Sequence, residues 1–138
     1  MARILVVDDD PDFQSMLAMV LESAGYDVDM AFDGKQALAR MRELRPDLVI
    51  LDVMMTTDTE GFGVARSIRA EPSLAAIPII MLTSIHEEKK LTYRLEPDPT
   101  WLPVDRFLDK PVKPALLLAA VTEALAGARL GRDKGDAQ

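Results

Sequence analysis

Polar side chains with complementary chemistry follow four apolar segments of the chain. Two carboxylates, Asp8 and Asp9, come directly after the first of these segments, and Asp52 comes directly after another. Thr83 supplies a hydroxyl after the third apolar segment, and Lys110 supplies an ammonium group just beyond the fourth. If the ends of these segments meet in the fold, three carboxylates, a hydroxyl and an amine converge on one pocket.

These residue types suit one kind of reaction. Closely packed carboxylates repel one another unless a cation compensates their charge, and Mg²⁺ is a hard cation that prefers oxygen ligands. The lysine and the hydroxyl are donors suited to the oxygens of a phosphoryl group. Because an aspartate carboxylate is itself a recognised nucleophile, the set predicts Mg²⁺-dependent phosphoryl transfer onto a carboxylate.

The elements that must position these residues alternate between strands and helices. The predicted strands cover residues 4–7, 26–31, 48–51, 77–82 and 106–108. The predicted helices cover 11–25, 35–44, 62–70, 86–95 and a last segment from residue 113 onward. This alternation predicts an α/β fold with a mostly parallel sheet and helices on both of its faces. In such sheets function collects beyond the carboxyl ends of the strands, where these polar residues lie.

The first predicted helix has a recognisable start and a predicted buried face. Asp10 is the expected N-cap, and the proline after it suits the first helical position. Helical spacing assigns five apolar residues to the inner face: Phe13, Met16, Leu17, Val20 and Leu21.

Four segments of the sequence resemble the receiver domains of two-component response regulators. They are ILVVDDDPD, LVILDVMM, IIMLTS and FLDKPV, in that order along the chain. The resemblance extends from Arg3 to about Leu125 and implies a single receiver domain over residues 1–126. It also implies a flavodoxin-like (βα)5 fold, a doubly wound five-stranded parallel sheet with strand order 2-1-3-4-5.

The resemblance implies a phosphoacceptor and a metal site. Asp52 would be phosphorylated. Asp9 and Asp52 would ligate Mg²⁺ directly, together with the backbone carbonyl of Met54, whereas Asp8 would act through water. Mn²⁺ is the expected substitute ion.

The resemblance also implies a switch. Lys110 would pair with the phosphoryl group and Thr83 would donate a hydrogen bond to it. Phe107 matches the aromatic position that reorients with Thr83 when the domain is phosphorylated. The resulting change of surface would alter binding to another protein.

Two segments depart from the family pattern. Thr56 stands where the family usually has proline, and Gly61 comes one position later than usual after the phosphoacceptor. The interval from Thr83 to Lys110 is also longer than usual, and we assign the excess to residues 96–103. The roles of the phosphoacceptor loop and of this insertion stay open.

Length and charge restrict the class of protein. The chain has 138 residues, no cysteine and a net charge of −7, which is typical of one domain in a reducing cytoplasm. The negative charge argues against nucleic-acid and membrane partners. The glycines and charges of residues 127–138 predict a disordered tail. We therefore expect a stand-alone domain that signals through a partner.

The expected partners follow from this reading. The phosphoryl donor would be a histidine kinase or a histidine phosphotransfer protein, and the output would be an unidentified downstream protein. We expect a monomer or a phosphorylation-dependent dimer, with no independent turnover of a small molecule.

Two other functions compete with this one. A receiver-like module that works without phosphorylation is suggested by the unusual phosphoacceptor loop. A small phosphohydrolase is disfavoured, because such enzymes commonly carry a second aspartate two residues after the first, where this chain has Met54. Asp58 is a rival phosphoacceptor in the same loop, although its position is typical of a turn residue.

Overall fold

The computed structural model describes residues 2–52, 60–83, 106–109 and 112–136. Its strands are β1 (Arg3–Val7), β2 (Asp27–Ala31), β3 (Leu48–Asp52), β4 (Ile79–Thr83) and β5 (Arg106–Asp109). Its helices are α1 (Pro11–Ser23), α2 (Gly34–Leu44), α3 (Glu60–Ala70) and α4 (Pro114–Asp136). The helix predicted over 86–95, the insertion over 96–103 and most of the phosphoacceptor loop lie outside the described residues.

The five strands form one parallel sheet in the order β2-β1-β3-β4-β5. This order confirms the flavodoxin-like fold predicted from the sequence. The chain winds outward in opposite directions from β1 and β3, so the crevice beyond their carboxyl ends is the point where ligands bind in such sheets.

The central strands are apolar on both faces because helices cover both sides of the sheet. Along β1, Leu5 and Val7 pack toward α2 and α3, whereas Ile4 and Val6 pack toward α1 and α4. The same alternation continues in β3 and β4. The sheet therefore lies between two hydrophobic cores, one on each face, which fix the positions of its strands relative to one another.

The buried face of α1 differs from the predicted one. Its buried residues are Gln14, Leu17, Ala18 and Leu21, which follow the i, i+3, i+4, i+7 pattern of one helix face. Met16 is 38% exposed, so its predicted inward position is wrong. The prediction placed only apolar residues on the inner face, whereas the polar residue Gln14 is one of the four that the helix buries.

The last helix extends into the segment for which the sequence predicts a disordered tail. Helix α4 continues through Asp136, well beyond the predicted end of the domain. Alanine, leucine, arginine and lysine between the glycines are good helix formers, and extending an existing helix adds one hydrogen bond for each residue ordered. None of the helices in the described part of the chain has the length and apolar character needed to cross a bilayer.

An ion pair joins helix α2 to the end of α3 on the side of the sheet away from α1. Arg42 donates from Nε to both carboxylate oxygens of Glu71, at 3.0 and 3.1 Å, and from a terminal nitrogen to Oε1 at 2.8 Å. These hydrogen bonds and the charge of Arg42 lower the pKa of Glu71, and the same contacts raise the pKa of Arg42.

We expect Glu71→Gln to cause a small, pH-dependent loss of stability. Because the pKa of Glu71 is lowered in the folded state, the pair stabilises the fold above the ordinary carboxyl pKa. This contribution is lost as the pH falls through the lowered value. Urea midpoints of wild type and variant should therefore differ slightly at neutral pH, less in high salt, and converge in acid. A difference that persists unchanged in acid would contradict the assignment.

Candidate functional site

The carboxyl ends of β1 and β3 bring two of the predicted carboxylates together. Val7 pairs with Leu51 in the parallel ladder, so the next residue of each strand, Asp8 and Asp52, extends from the same edge. Both are buried, whereas Asp9 is exposed. Carboxylate oxygens of all three aspartates lie within 4.8 Å of one another. The structure therefore brings together the three aspartates that were predicted to converge because each follows the end of an apolar strand.

The first aspartate of the cluster is fixed by its backbone and by its side chain. Asp8 donates its N–H to the carbonyl of Ala31 at 3.1 Å, and its Oδ1 accepts the N–H of Asp10 at 2.9 Å. The carboxylate of Asp10 in turn accepts the N–H groups of Asp12 and Phe13, which confirms it as the N-cap of α1. The turn from β1 into α1 therefore presents Asp9 outward while Asp8 is held inside.

The donor set of this cluster fits a magnesium ion. Three carboxylates within 4.8 Å offer the oxygen ligands that a hard cation prefers. Asp8 and Asp52 lie inside the fold and Asp9 lies at its surface, so an ion held here would contact protein on one side and water on the other. Such partial exposure suits Mg²⁺, which usually keeps several of its waters.

The remaining predicted residues lie on the neighbouring strands or outside the described residues. Asp52 pairs with Leu82, so Thr83 ends β4 one position beyond, at the same edge of the sheet. Thr83 pairs with Asp109, the residue directly before Lys110. Lys110 itself and Met54 are outside the described residues, so their roles stay predictions.

Phe107 lies in the strand next to the site. Its backbone pairs with Met81, which is two residues before Thr83 on β4. The predicted switch pair, Thr83 and Phe107, is therefore carried by adjacent strands. Its coupled movement stays a prediction.

Gln14 is a residue of this region that the sequence analysis missed. It is fully buried in α1, and its side-chain nitrogen donates to the backbone carbonyls of Val6, Asp8 and Ala31. The available signal was its position, three, four and seven residues before the apolar residues of the buried face. A polar residue at such a position needs hydrogen-bond partners inside the protein.

Comparison with known proteins identifies relatives over nearly the whole chain. The family model described as the response regulator receiver domain matches residues 4–122. The DNA-binding response regulator MtrA of Mycolicibacterium smegmatis is 42% identical over 89% of this chain and 50% of its own length. The DNA-binding dual master transcriptional regulator RpaA of Synechocystis is 35% identical over 91% of this chain and 49% of its own length. The chain spans about half the length of the curated relatives it matches.

A solved structure of similar extent supports the same assignment. The chemotaxis protein CheY4 of Vibrio cholerae superposes with a TM-score of 0.74 at 31% identity. The match covers 90% of this chain and 98% of that one.

The expectation of no nucleic-acid partner is wrong. MtrA and RpaA are both named as DNA-binding regulators. The inference failed because the charge of one domain determines only which partners that domain's own surface attracts. The relatives are about twice as long as the segment they share with this chain, so the charge of that segment does not decide what those relatives bind.

Proposed function

The chain belongs to the family of response regulator receiver domains, and from this premise we propose that it accepts a phosphoryl group on Asp52 from a histidine kinase or a histidine phosphotransfer protein. The observation that carries the proposal is the acidic cluster. Asp52 is buried at the end of β3, with carboxylate oxygens of Asp8 and Asp9 within 4.8 Å. Carboxylates this close together repel one another unless a cation compensates their charge, and a phosphoacceptor beside a cation site would account for the arrangement.

The proposed reaction is a displacement at phosphorus. A carboxylate oxygen of Asp52 forms a bond to phosphorus as the bond from phosphorus to the donor's imidazole nitrogen breaks. The electron pair of that broken bond stays on the imidazole, which then takes up a proton. Asp9, Asp52 and the backbone carbonyl of Met54 would hold Mg²⁺, with Asp8 contributing through water. When bound, the ion supplies positive charge that offsets the negative charge of the phosphoryl oxygens.

The same proposal assigns roles to two neighbouring strands. Lys110, directly after β5, would form an ion pair with the phosphoryl group, and Thr83 at the end of β4 would donate a hydrogen bond to it. A phosphoryl group adds charge and acceptor oxygens, so it favours whichever position of Thr83 and Phe107 best meets them. The support is positional: Thr83 ends β4 beside the strand that carries Asp52, Phe107 lies on the next strand, and Lys110 follows β5 directly in the sequence.

The output would be a change in binding rather than turnover of a small molecule. The names of MtrA and RpaA make a DNA-binding effector the first class of target that we propose. A separate protein target in the cytoplasm is the second, because the chemotaxis protein CheY4 has nearly the same extent as the matched segment.

Incubation with acetyl phosphate tests the proposal without a cognate kinase. We expect the mass of the intact protein to increase by one phosphoryl group in Mg²⁺, and to stay unchanged when EDTA removes the ion. A lack of uptake under both conditions would favour the rival function, a receiver-like module that works without phosphorylation. Sustained hydrolysis of a phosphate ester would instead support the other rival function, that of a small phosphohydrolase.

A further inference from the structure

We infer that Gln14 is a positioning residue for the metal site, acting through Asp8; this inference rests on the proposed function. Gln14 lies on the buried face of α1, one turn into the helix that follows the acidic pair. It is not one of the three aspartates of the acidic cluster. Its contacts are with the backbone that carries the cluster.

The side-chain amide joins the ends of two strands. Its nitrogen donates to the carbonyl of Asp8 at 2.8 Å, of Ala31 at 2.5 Å and of Val6 at 3.3 Å. Asp8 and Ala31 are also joined directly, through the N–H of Asp8. The ladder between β1 and β2 ends at Val7 and Ala31, so Gln14 continues the hydrogen bonding one step beyond the sheet.

These contacts complete the restraint on Asp8. Its N–H is held by Ala31, its carbonyl by Gln14, and its carboxylate by the N–H of Asp10. Groups that orient a metal-binding residue without touching the ion strongly affect affinity, because a cluster held in place pays less to become ordered around the ion. Gln14, which is fully buried, restrains the backbone carbonyl of Asp8.

The other half of the amide argues against a purely packing role. Gln14 Oε1 is buried and has no hydrogen-bond partner among the described residues. A buried acceptor without a partner is unfavourable, and an apolar side chain of similar size would avoid that cost. The amide is therefore explained by what its nitrogen does, and among the described residues that nitrogen donates to the backbone carbonyls of Val6, Asp8 and Ala31.

The test compares Gln14→Met with Leu21→Val. Methionine keeps the length of the side chain and removes its donors, whereas Leu21 is buried on the same helix face but away from the cluster. We expect the Mg²⁺ dissociation constant of the folded protein, measured by calorimetry, to rise about tenfold in Gln14→Met. It should not change in Leu21→Val, although both variants lose stability toward urea in EDTA. A folded Gln14→Met with the affinity of the wild type would overturn the inference.

A measurement on the wild type decides the matter if Gln14→Met does not fold. In an NMR titration with Mg²⁺, we expect the side-chain NH₂ resonances of Gln14 to shift along the same binding curve as the backbone amide of Asp9. Gln14 resonances that stay fixed while Asp9 titrates would overturn the inference and leave the proposed function standing. If the wild type shows no saturable Mg²⁺ binding at all, the proposed function fails together with the inference.

Discussion

Replacing Asp52 with asparagine is expected to reduce phosphoryl uptake from acetyl phosphate by a factor on the order of a thousand or more, because the variant lacks the nucleophile. An asparagine amide has nearly the same shape as the carboxylate but no negatively charged oxygen with which to attack phosphorus. The side chain lies at the end of a fully buried strand, so the similar shape should preserve the packing around it. Uptake is measured as the phosphorylated fraction of intact protein over time.

The matched control is Asp58→Asn, which removes the rival carboxylate of the same loop. We expect this variant to take up the phosphoryl group as the wild type does. Urea unfolding of both variants shows whether a loss of uptake comes from a loss of structure. Uptake that survives in Asp52→Asn and disappears in Asp58→Asn would show that Asp58, and not Asp52, is the phosphoacceptor, which would contradict our proposal.

Replacing Asp9 with asparagine is expected to remove most of the stabilisation that Mg²⁺ gives the folded protein. A ligand that binds only the folded state at about a hundred times its dissociation constant stabilises that state by about 2.7 kcal/mol. Asp9 is the exposed member of the cluster, so its replacement should disturb little packing. The variant should therefore resemble the wild type in EDTA and fall behind it in Mg²⁺.

Asp12→Asn is the control for charge alone. Asp12 is an exposed acidic residue in the first turn of α1, three residues after Asp9 and outside the acidic cluster. Its replacement changes the net charge by the same amount. We expect the Asp12 variant to keep the full Mg²⁺-dependent shift of the urea midpoint. An equal loss in the two variants would mean that Mg²⁺ acts through general screening rather than at a site.

Much of the acidic cluster could be predicted because it depends on few long-range facts. Apolar runs identify β1 and β3 as buried parallel strands, and parallel strands end at one edge, so Asp8 and Asp52 are expected at the same edge of the sheet. The register between Val7 and Leu51 confirms this to the residue. Asp10 was equally predictable, because an N-cap followed by proline is a local signal.

Other features depend on information that local patterns do not carry. The buried position of Gln14 was not predicted, because apolar periodicity assigns only apolar side chains to the inner face of a helix. Gln14 lies on that face because its side-chain nitrogen donates hydrogen bonds to backbone carbonyls at the ends of β1 and β2. The extension of α4 was not predicted, because the prediction for residues 127–138 rested on their glycines and charges and not on the helix formers between the glycines. The nucleic-acid prediction failed for a different reason: net charge describes the surface of one segment, and the relatives extend well beyond it.

The most direct test of the central claim is to locate the phosphoryl group chemically. Protein phosphorylated with acetyl phosphate in Mg²⁺ is reduced with borohydride, which converts an aspartyl phosphate to homoserine, and the modified peptide is sequenced by mass spectrometry. The proposal predicts homoserine at position 52 and at no other aspartate. Modification at Asp8, Asp9 or Asp58 in place of Asp52, or at none of them, would contradict it.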